Sequence, residues 1–123
     1  MKRTALFESH VALGAKIIEF GGWDMPVNYP SGILKEHVNT RQNAGLFDIS
    51  HMGEILVQGD NATTFLQYVM TNDLNLMEDG KGQYANMCYP HGGSIDDCFY
   101  YRYSVEKYRI IVNASNLEKD YAW

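Results

Sequence analysis

The sequence contains few of the residues that form disulfides or bind metal ions in small proteins. Its 123 residues include only two cysteines, Cys88 and Cys98, which lack the CxxC spacing of redox and zinc motifs. Its four histidines show neither HxxxH nor HExxH spacing, so no metal site is predicted. We expect both cysteines to be reduced thiols in the core rather than a disulfide or a redox pair.

Cationic charge and long apolar runs are also scarce. The formal net charge is −5 and is spread along the chain, so no cationic face for nucleic acid is expected. No apolar stretch approaches the roughly 18 to 20 residues that span a bilayer. Glu8 and His10 follow the basic start before a signal-peptide core could form. We therefore expect a cytoplasmic protein with no targeting segment and no membrane partner.

The composition that remains is that of a globular domain, with 46% hydrophobic and 20% charged residues. Helical spacing of apolar residues predicts a helix over 31–44, ending near Gly45. A strand is predicted at about 54–58. Asp60 is then the expected N-cap of a helix that runs to about Met70.

The second half of the sequence predicts a sheet. Residues 83–89, 94–103 and 108–113 are rich in aromatic and β-branched residues and are separated by turn residues, which is typical of an antiparallel meander. Ser115 and Glu118 form a capping-box pattern, which predicts a helix from there to Trp123. The chain stops inside this helix, and we expect it to be truncated.

The Asp96-Asp97 pair is the most informative polar feature. Strand alternation puts Asp97 on one face with Ile95, Phe99 and Tyr101, and Asp96 on the opposite, more polar face. The two carboxylates then point apart and should not share a proton. A carboxylate among apolar neighbours needs a partner. For Asp97 the partner is either structural, a backbone hydrogen bond or an arginine, or a bound ligand.

Two other features allow both a structural and a functional interpretation. His51 follows a helix and precedes a strand, where binding residues often lie, but a single histidine there can equally be packing or surface. Nine tyrosines could stack on a flat heterocycle or simply fill the core.

Six segments, in the same order along the chain, add a further signal. They are 10–16 (HVALGAK), 21–27 (GGWDMPV), 44–53 (AGLFDISHMG), 71–73 (TND), 92–97 (GGSIDD) and 112–120 (VNASNLEKD). Together they resemble the tetrahydrofolate-dependent aminomethyltransferases, or T-proteins, of the glycine cleavage system. The resemblance covers essentially the whole chain, which corresponds to an N-terminal third of such proteins.

The resemblance implies an α+β fold, with an antiparallel sheet flanked by helices, in the N-terminal part of a three-domain cloverleaf around a central folate hole. Residues 1–53 would be the start of the first folate-binding domain. Residues 54–123 would be most of the second, α+β domain.

The resemblance also implies a reaction. A lipoyl carrier protein presents an aminomethyl group on sulfur, ammonia leaves, and the carbon passes to the co-substrate tetrahydrofolate as the 5,10-methylene adduct, with no metal required. Asp97 is the expected catalytic carboxylate, with Asp96 as the other candidate. Met52, Tyr84, Tyr101 and Asn113 match positions that line the folate pocket together with Asp97.

The match has departures. Cys98-Phe99-Tyr100 replaces a more aliphatic run, and later contributions to the family's folate site lie beyond Trp123, so the isolated chain is expected to be inactive. Two alternatives remain open at this point. One is a folate-binding relative that acts in iron–sulfur assembly or demethylation, and the other is a non-catalytic fragment.

Overall fold

The computed structural model describes all residues from 1 to 123 and divides into two compact units, Met1–His51 and Met52–Trp123. Both units combine helices with a sheet, so the predicted α+β class is confirmed. None of the helices has the length and apolar character needed to cross a membrane.

The first unit is built on a three-stranded sheet with strand order β1-β3-β2. Strands β2 and β3 form an antiparallel hairpin through Gly21 and Gly22, whose φ values of 58° and 87° suit glycine. Strand β1 pairs with β3 in parallel. The elements are β1 (Lys2–Arg3), α1 (Phe7–Ala12), β2 (Lys16–Phe20), β3 (Trp23–Asn28) and α2 (Ile33–Gln42).

A polar network, rather than an apolar core, occupies the interior of the first unit. Met25 is its one buried apolar residue, whereas Thr4 and His10 are buried polar residues. His10 Nε2 donates to Asp48 Oδ2 at 2.8 Å, and Thr4 Oγ1 donates to the same oxygen at 2.7 Å. The other ring nitrogen of His10, Nδ1, lies 2.8 Å from the Tyr29 hydroxyl.

The second unit is built on a four-stranded antiparallel sheet with strand order β4-β7-β6-β5. The predicted strands and helices of this unit are confirmed, with ends that differ by a few residues. A short 3₁₀ helix at Leu74–Leu76 was not predicted. The elements are β4 (Gly53–Gln58), α3 (Ala62–Val69), β5 (Gly82–Cys88), β6 (Ser94–Ser104), β7 (Lys107–Val112) and α4 (Leu117–Ala122).

One face of this sheet packs in the core of the unit. Leu66 from α3 and the sheet residues Tyr100, Tyr108 and Val112 are completely buried. The two buried hydroxyls are satisfied, because Tyr100 donates to Gln83 Oε1 at 2.8 Å and the Tyr108 hydroxyl lies 2.7 Å from Thr63 Oγ1. The opposite face of the sheet carries no layer of helices within this unit.

Both predicted N-caps are wrong by one position. The N-cap of α3 is Asn61 rather than Asp60, and that of α4 is Asn116 rather than Ser115; neither makes a side-chain cap bond. At α4 the reason is competition, since the Asn116 side chain donates to Asp96 Oδ1 at 2.9 Å instead of capping the helix.

A β-bulge interrupts the pairing of β5 with β6. Met87 pairs with Asp96 and Cys88 with Ser94, which leaves Ile95 without a partner. Ile95 and Asp96 are therefore both buried in succession, while Asp97 is exposed. The prediction that Ile95 shares a face with Asp97 is wrong. The face of Asp96 was also expected to be the more polar one, but it faces the core.

Candidate functional site

The open face of the four-stranded sheet carries the residues singled out from the sequence. Asp97 and Tyr101 lie on β6, and Tyr84 lies on the neighbouring strand β5. All three are exposed, and Tyr84 retains 54% of its accessible surface. Asn113 directly follows β7, and Met52 directly precedes β4. Because Gly53 pairs with Val112, Met52 and Asn113 lie at the same end of the sheet.

The Asp97 carboxylate is held between a tyrosine and an asparagine. The Tyr84 hydroxyl donates to Asp97 Oδ2, and Asn113 Nδ2 donates to Asp97 Oδ1 at 3.1 Å. The hydrogen bond to Asp97 is the main reason why the pKa of the Tyr84 phenol is raised, so the phenol remains a donor. No arginine pairs with Asp97, which removes that structural explanation for the carboxylate.

Two aromatic rings extend this face beside Asp97. Phe99 and Tyr101 alternate with the core residues of β6, and their ring centroids lie 5.0 Å apart at an interplanar angle of 53°. The Phe99 ring lies over strand β5 at Gly82, where the Cβ of any other residue would collide with it. Gly82 therefore permits the ring position that makes this surface aromatic.

Asp96 lies on the core side and is satisfied by donors. Its carboxylate accepts from Asn113 Nδ2 at 2.9 Å, from Asn116 Nδ2 at 2.9 Å and from the Asn113 backbone N–H at 3.3 Å. Burial alone would raise the pKa of Asp96, but these hydrogen bonds outweigh burial and lower it.

Asn113 links the two aspartates. Its amide nitrogen lies 2.9 Å from Asp96 Oδ1 and 3.1 Å from Asp97 Oδ1, so one side chain bridges the core side and the open side of β6. Strand alternation does point the two carboxylates apart, but the sequence pattern contained no sign of this bridge.

Asp120 is the polar residue of this region that sequence reasoning missed. It lies on α4, is 5% exposed, and neither of its carboxylate oxygens has a hydrogen-bond donor. Burial raises the pKa of Asp120 to about 7, with a further contribution from Asp96. The only signal in the sequence was its spacing, three residues after Leu117 on the predicted helix.

The remaining candidates lie outside this face. His51 belongs to the first unit and packs edge-on against Phe20, with ring centroids 5.8 Å apart. Both cysteines are free thiols, but only Cys98 is buried, so the expectation that both lie in the core is wrong for Cys88. Across the chain, no group of three or more potential ligands is arranged to hold a metal ion.

The arrangement on the open face suits a flat, polar heterocycle. Tyr84, Phe99 and Tyr101 provide aromatic contact area, and the Asp97 carboxylate accepts hydrogen bonds from ring N–H groups. Asn113 holds that carboxylate in place through its hydrogen bond to Asp97 Oδ1.

Comparison with known proteins points to one family. The family model described as the GCVT N-terminal domain matches residues 6–123. The chain is 51% identical to an aminomethyltransferase of Desulfitobacterium hafniense and 56% identical to one of Chlorobaculum parvum, each over 123 residues. In both comparisons all of this chain aligns with 33% of the relative, so the chain spans about a third of the length of these curated relatives.

A solved structure agrees with the sequence comparisons. The fold matches the crystal structure of glycine cleavage system aminomethyltransferase T from Bartonella henselae with a TM-score of 0.92 and 41% sequence identity. The match covers 98% of this chain and 34% of that protein. The chain therefore belongs to the aminomethyltransferase family of the glycine cleavage system and corresponds to its N-terminal part.

Proposed function

We propose that the protein to which this chain belongs is a tetrahydrofolate-dependent aminomethyltransferase, and that the open face of the sheet forms one wall of its folate site. The observation that supports this proposal is the exposed Asp97 carboxylate, held by Tyr84 and Asn113 beside an aromatic surface. Tyr101 and Met52 complete the proposed contacts with folate.

The proposed reaction moves one carbon from sulfur to nitrogen. The aminomethyl group is bound to a sulfur of the lipoyl carrier protein. Its C–N bond breaks and the nitrogen leaves as ammonia, taking one proton from folate. The two folate nitrogens then bond to the carbon, the C–S bond breaks, and the sulfur takes the second proton. The carrier is left as a dithiol and folate as its 5,10-methylene adduct.

Asp97 acts in this scheme by positioning and hydrogen bonding. Its carboxylate accepts from an N–H of the folate ring, which orients the nitrogen lone pair toward the incoming carbon. The Tyr84 and Asn113 hydrogen bonds fix the carboxylate before folate arrives, so little reorganisation is needed at the moment of attack.

The isolated 123 residues are proposed to be inactive. Ligand sites usually enclose most of the ligand, whereas Tyr84 at 54% and Leu56 at 57% exposure lie on an open surface. In this proposal residues 1–53 begin the first folate-binding domain and residues 54–123 form most of the second. Turnover by the isolated chain would contradict this part of the proposal.

The test uses the full-length protein with Asp97→Asn. We expect a loss of transfer of about 100-fold or more, since the carboxylate becomes a neutral amide that no longer serves as a strong acceptor. Asp60→Asn is the matched control, because Asp60 is an exposed aspartate of the same unit, away from Asp97 in the sequence. Unchanged turnover in Asp97→Asn removes this residue from the mechanism.

An assay of ammonia release distinguishes aminomethyl transfer from the alternative hypothesis of a folate-binding relative with other chemistry. The full-length protein is given a lipoyl carrier loaded with the aminomethyl group, and released ammonia is measured. Ammonia release that depends on tetrahydrofolate supports aminomethyl transfer. Folate binding without ammonia release would instead support a relative that uses the folate site for other chemistry.

A further inference from the structure

Asp120 on α4 is a buried carboxyl group without donors. Its side chain has no accessible surface, and both oxygens lack a hydrogen-bond partner that could donate to them. An ionised carboxylate in such a place is strongly unfavourable, because nothing replaces its lost hydration. The group must therefore be satisfied in another way.

The charged and titratable groups around Asp120 are few. Lys119 on the same helix is 4.0 Å from Asp120 Oδ1, but its ammonium donates to the Ile95 carbonyl at 2.6 Å. The Cys98 thiol on β6 is near enough to Asp120 for the carboxyl group to contribute to its raised pKa. Helix α4 places Asp96, also on β6, beside Asp120: Asn116 donates to Asp96 Oδ1 at 2.9 Å, and the Asp120 N–H donates to the Asn116 carbonyl at 2.9 Å, one helical turn away. At this position each carboxyl group affects the pKa of the other.

Two carboxyl groups in contact form a hydrogen bond only when one of them carries a proton. Asp96 already accepts from three donors on Asn113 and Asn116, which favours its ionised form. Asp120 has none, so the proton belongs on Asp120, which donates it to Asp96. The pKa directions agree, since the pKa of Asp96 is lowered and burial raises that of Asp120.

We propose that Asp96 and Asp120 form a carboxyl pair that shares one proton, and that this pair positions Asn113, and through it Asp97, in the folate site. The positioning role rests on the proposed function. Asn113 Nδ2 bridges Asp96 Oδ1 and Asp97 Oδ1, so the place of Asp96 decides where the amide can hold Asp97. Asp120 is thus a positioning residue that acts from the core side of the sheet, opposite the open face that carries Asp97.

The proton itself is tested without folate, in the full-length protein. Infrared spectra at about pH 6 should contain a buried carboxylic acid band that is absent from Asp120→Asn and lost from the parent at about pH 8.5. Glu118→Gln is the matched control, because Glu118 is an exposed acid on the same helix, and the band should remain. A parent spectrum with no band that depends on Asp120 overturns the pair.

The positioning role is tested by transfer kinetics. Asp120→Leu removes the donor to Asp96 and should lower kcat about tenfold, with a smaller change in the KM for tetrahydrofolate. Asp120→Asn restores a donor that cannot titrate, so it should recover most of that loss and remove the step near pH 7 from the kcat profile. Equal kcat values and identical pH profiles in the parent and both variants overturn the positioning role.

Failure of this inference is distinguishable from failure of the proposed function. If the acid band is present but Asp97→Asn transfers at the parent rate, the role of Asp97 in the proposed function and the positioning role of Asp120 are wrong, and the one-proton pair stands. If Asp97→Asn is inactive but the band is absent, only the pair is wrong. The infrared arm also remains decisive should Asp120→Leu fail to fold.

Discussion

The two units each bury an aspartate side chain, and they satisfy it in opposite ways. In the first unit the Asp48 side chain is 2% exposed and accepts from His10, Thr4 and the Ser50 backbone at 2.7 to 2.9 Å. In the second unit Asp120 is fully buried and has no donor. Burial pushes the pKa of both groups upward, but the donors around Asp48 outweigh burial and hold its pKa well below the usual range. Donors, rather than depth, decide the charge of a buried acid.

The largest loss of stability at a fixed pH should come from removing the satisfied acid. Asp48→Ala leaves the buried His10 and Thr4 donors without an acceptor, so we expect the free energy of unfolding to fall by about 3 kcal/mol. Urea unfolding of the full-length protein measures it. Asp24→Ala is the control, since the Arg3–Asp24 pair is largely exposed on the arginine side and should contribute less than about 1 kcal/mol. Equal losses in both variants would break the comparison.

The two acids should also give stability opposite dependences on pH. The pKa of Asp48 is lowered on folding, so its contribution is present above 3.8 and is lost as the pH falls below that value. The pKa of Asp120 is raised from 3.8 to about 7, so its contribution is present below 3.8 and is lost as the pH rises toward 7.

Thermal melting of Asp48→Asn and Asp120→Asn against the parent, across this pH range, measures both slopes. Asp120→Asn should remove a loss of about 4 kcal/mol between the acidic and neutral limits, because amides do not titrate. Asp48→Asn should flatten only the acidic limb. For each variant, the difference in stability from the parent is plotted against pH. If the two differences change with pH in the same direction, hydrogen-bond donors do not control the charge of the two acids.

A smaller effect sharpens the contrast between the buried and open faces of the second sheet. Gly82→Ala puts a methyl group where the Phe99 ring lies, so we expect a loss of about 1 to 2 kcal/mol in unfolding free energy. The double variant with Phe99→Leu should recover stability, because the smaller side chain can move aside. If the double variant is no more stable than Gly82→Ala, the cost lies in the backbone rather than in the ring contact.

The smallest expected effect concerns the two cysteines, whose rates of labelling report how deeply each thiol is buried. Burial raises the pKa of Cys98 to about 12, so almost no thiolate forms near neutral pH. Iodoacetamide should label the half-buried Cys88 first, and label Cys98 only after unfolding, with Cys88→Ser as the control. Labelling of Cys98 in the folded protein at the rate of Cys88 would contradict its depth.

The second unit was largely predictable from the sequence because its elements are long and patterned. Residues 83–113 alternate like strands, and their order fixed the meander. In the first unit, two-residue β1 and a hairpin that contains Pro26 gave no periodic signal, so only α2 was predicted. The grouping of Tyr84, Asp97 and Asn113 came from the family resemblance, and their role in folate binding stays a prediction.

What the sequence could not reveal depends on contacts between distant residues. Asp120 lies 24 residues after Asp96 in the sequence, and no local sequence pattern relates the two. The capping-box pattern at Ser115 was overridden because Asn116 binds Asp96 rather than the helix end. Tertiary hydrogen bonds thus redirected side chains that local patterns had assigned to a cap.

The unpaired Ile95 gives the hairpin between β5 and β6 one position where the strand pairing can adjust. The turn closes on itself through bonds from Tyr89 N–H to the Gly93 carbonyl and from Gly92 N–H to the Tyr89 carbonyl. Pairing resumes only at Asp96, beyond the bulge, and sets Asp97 opposite Asn86. A change in length or sequence at 89–93 can therefore be absorbed before it reaches Asp97, which leaves this loop free to vary while the carboxylate keeps its register.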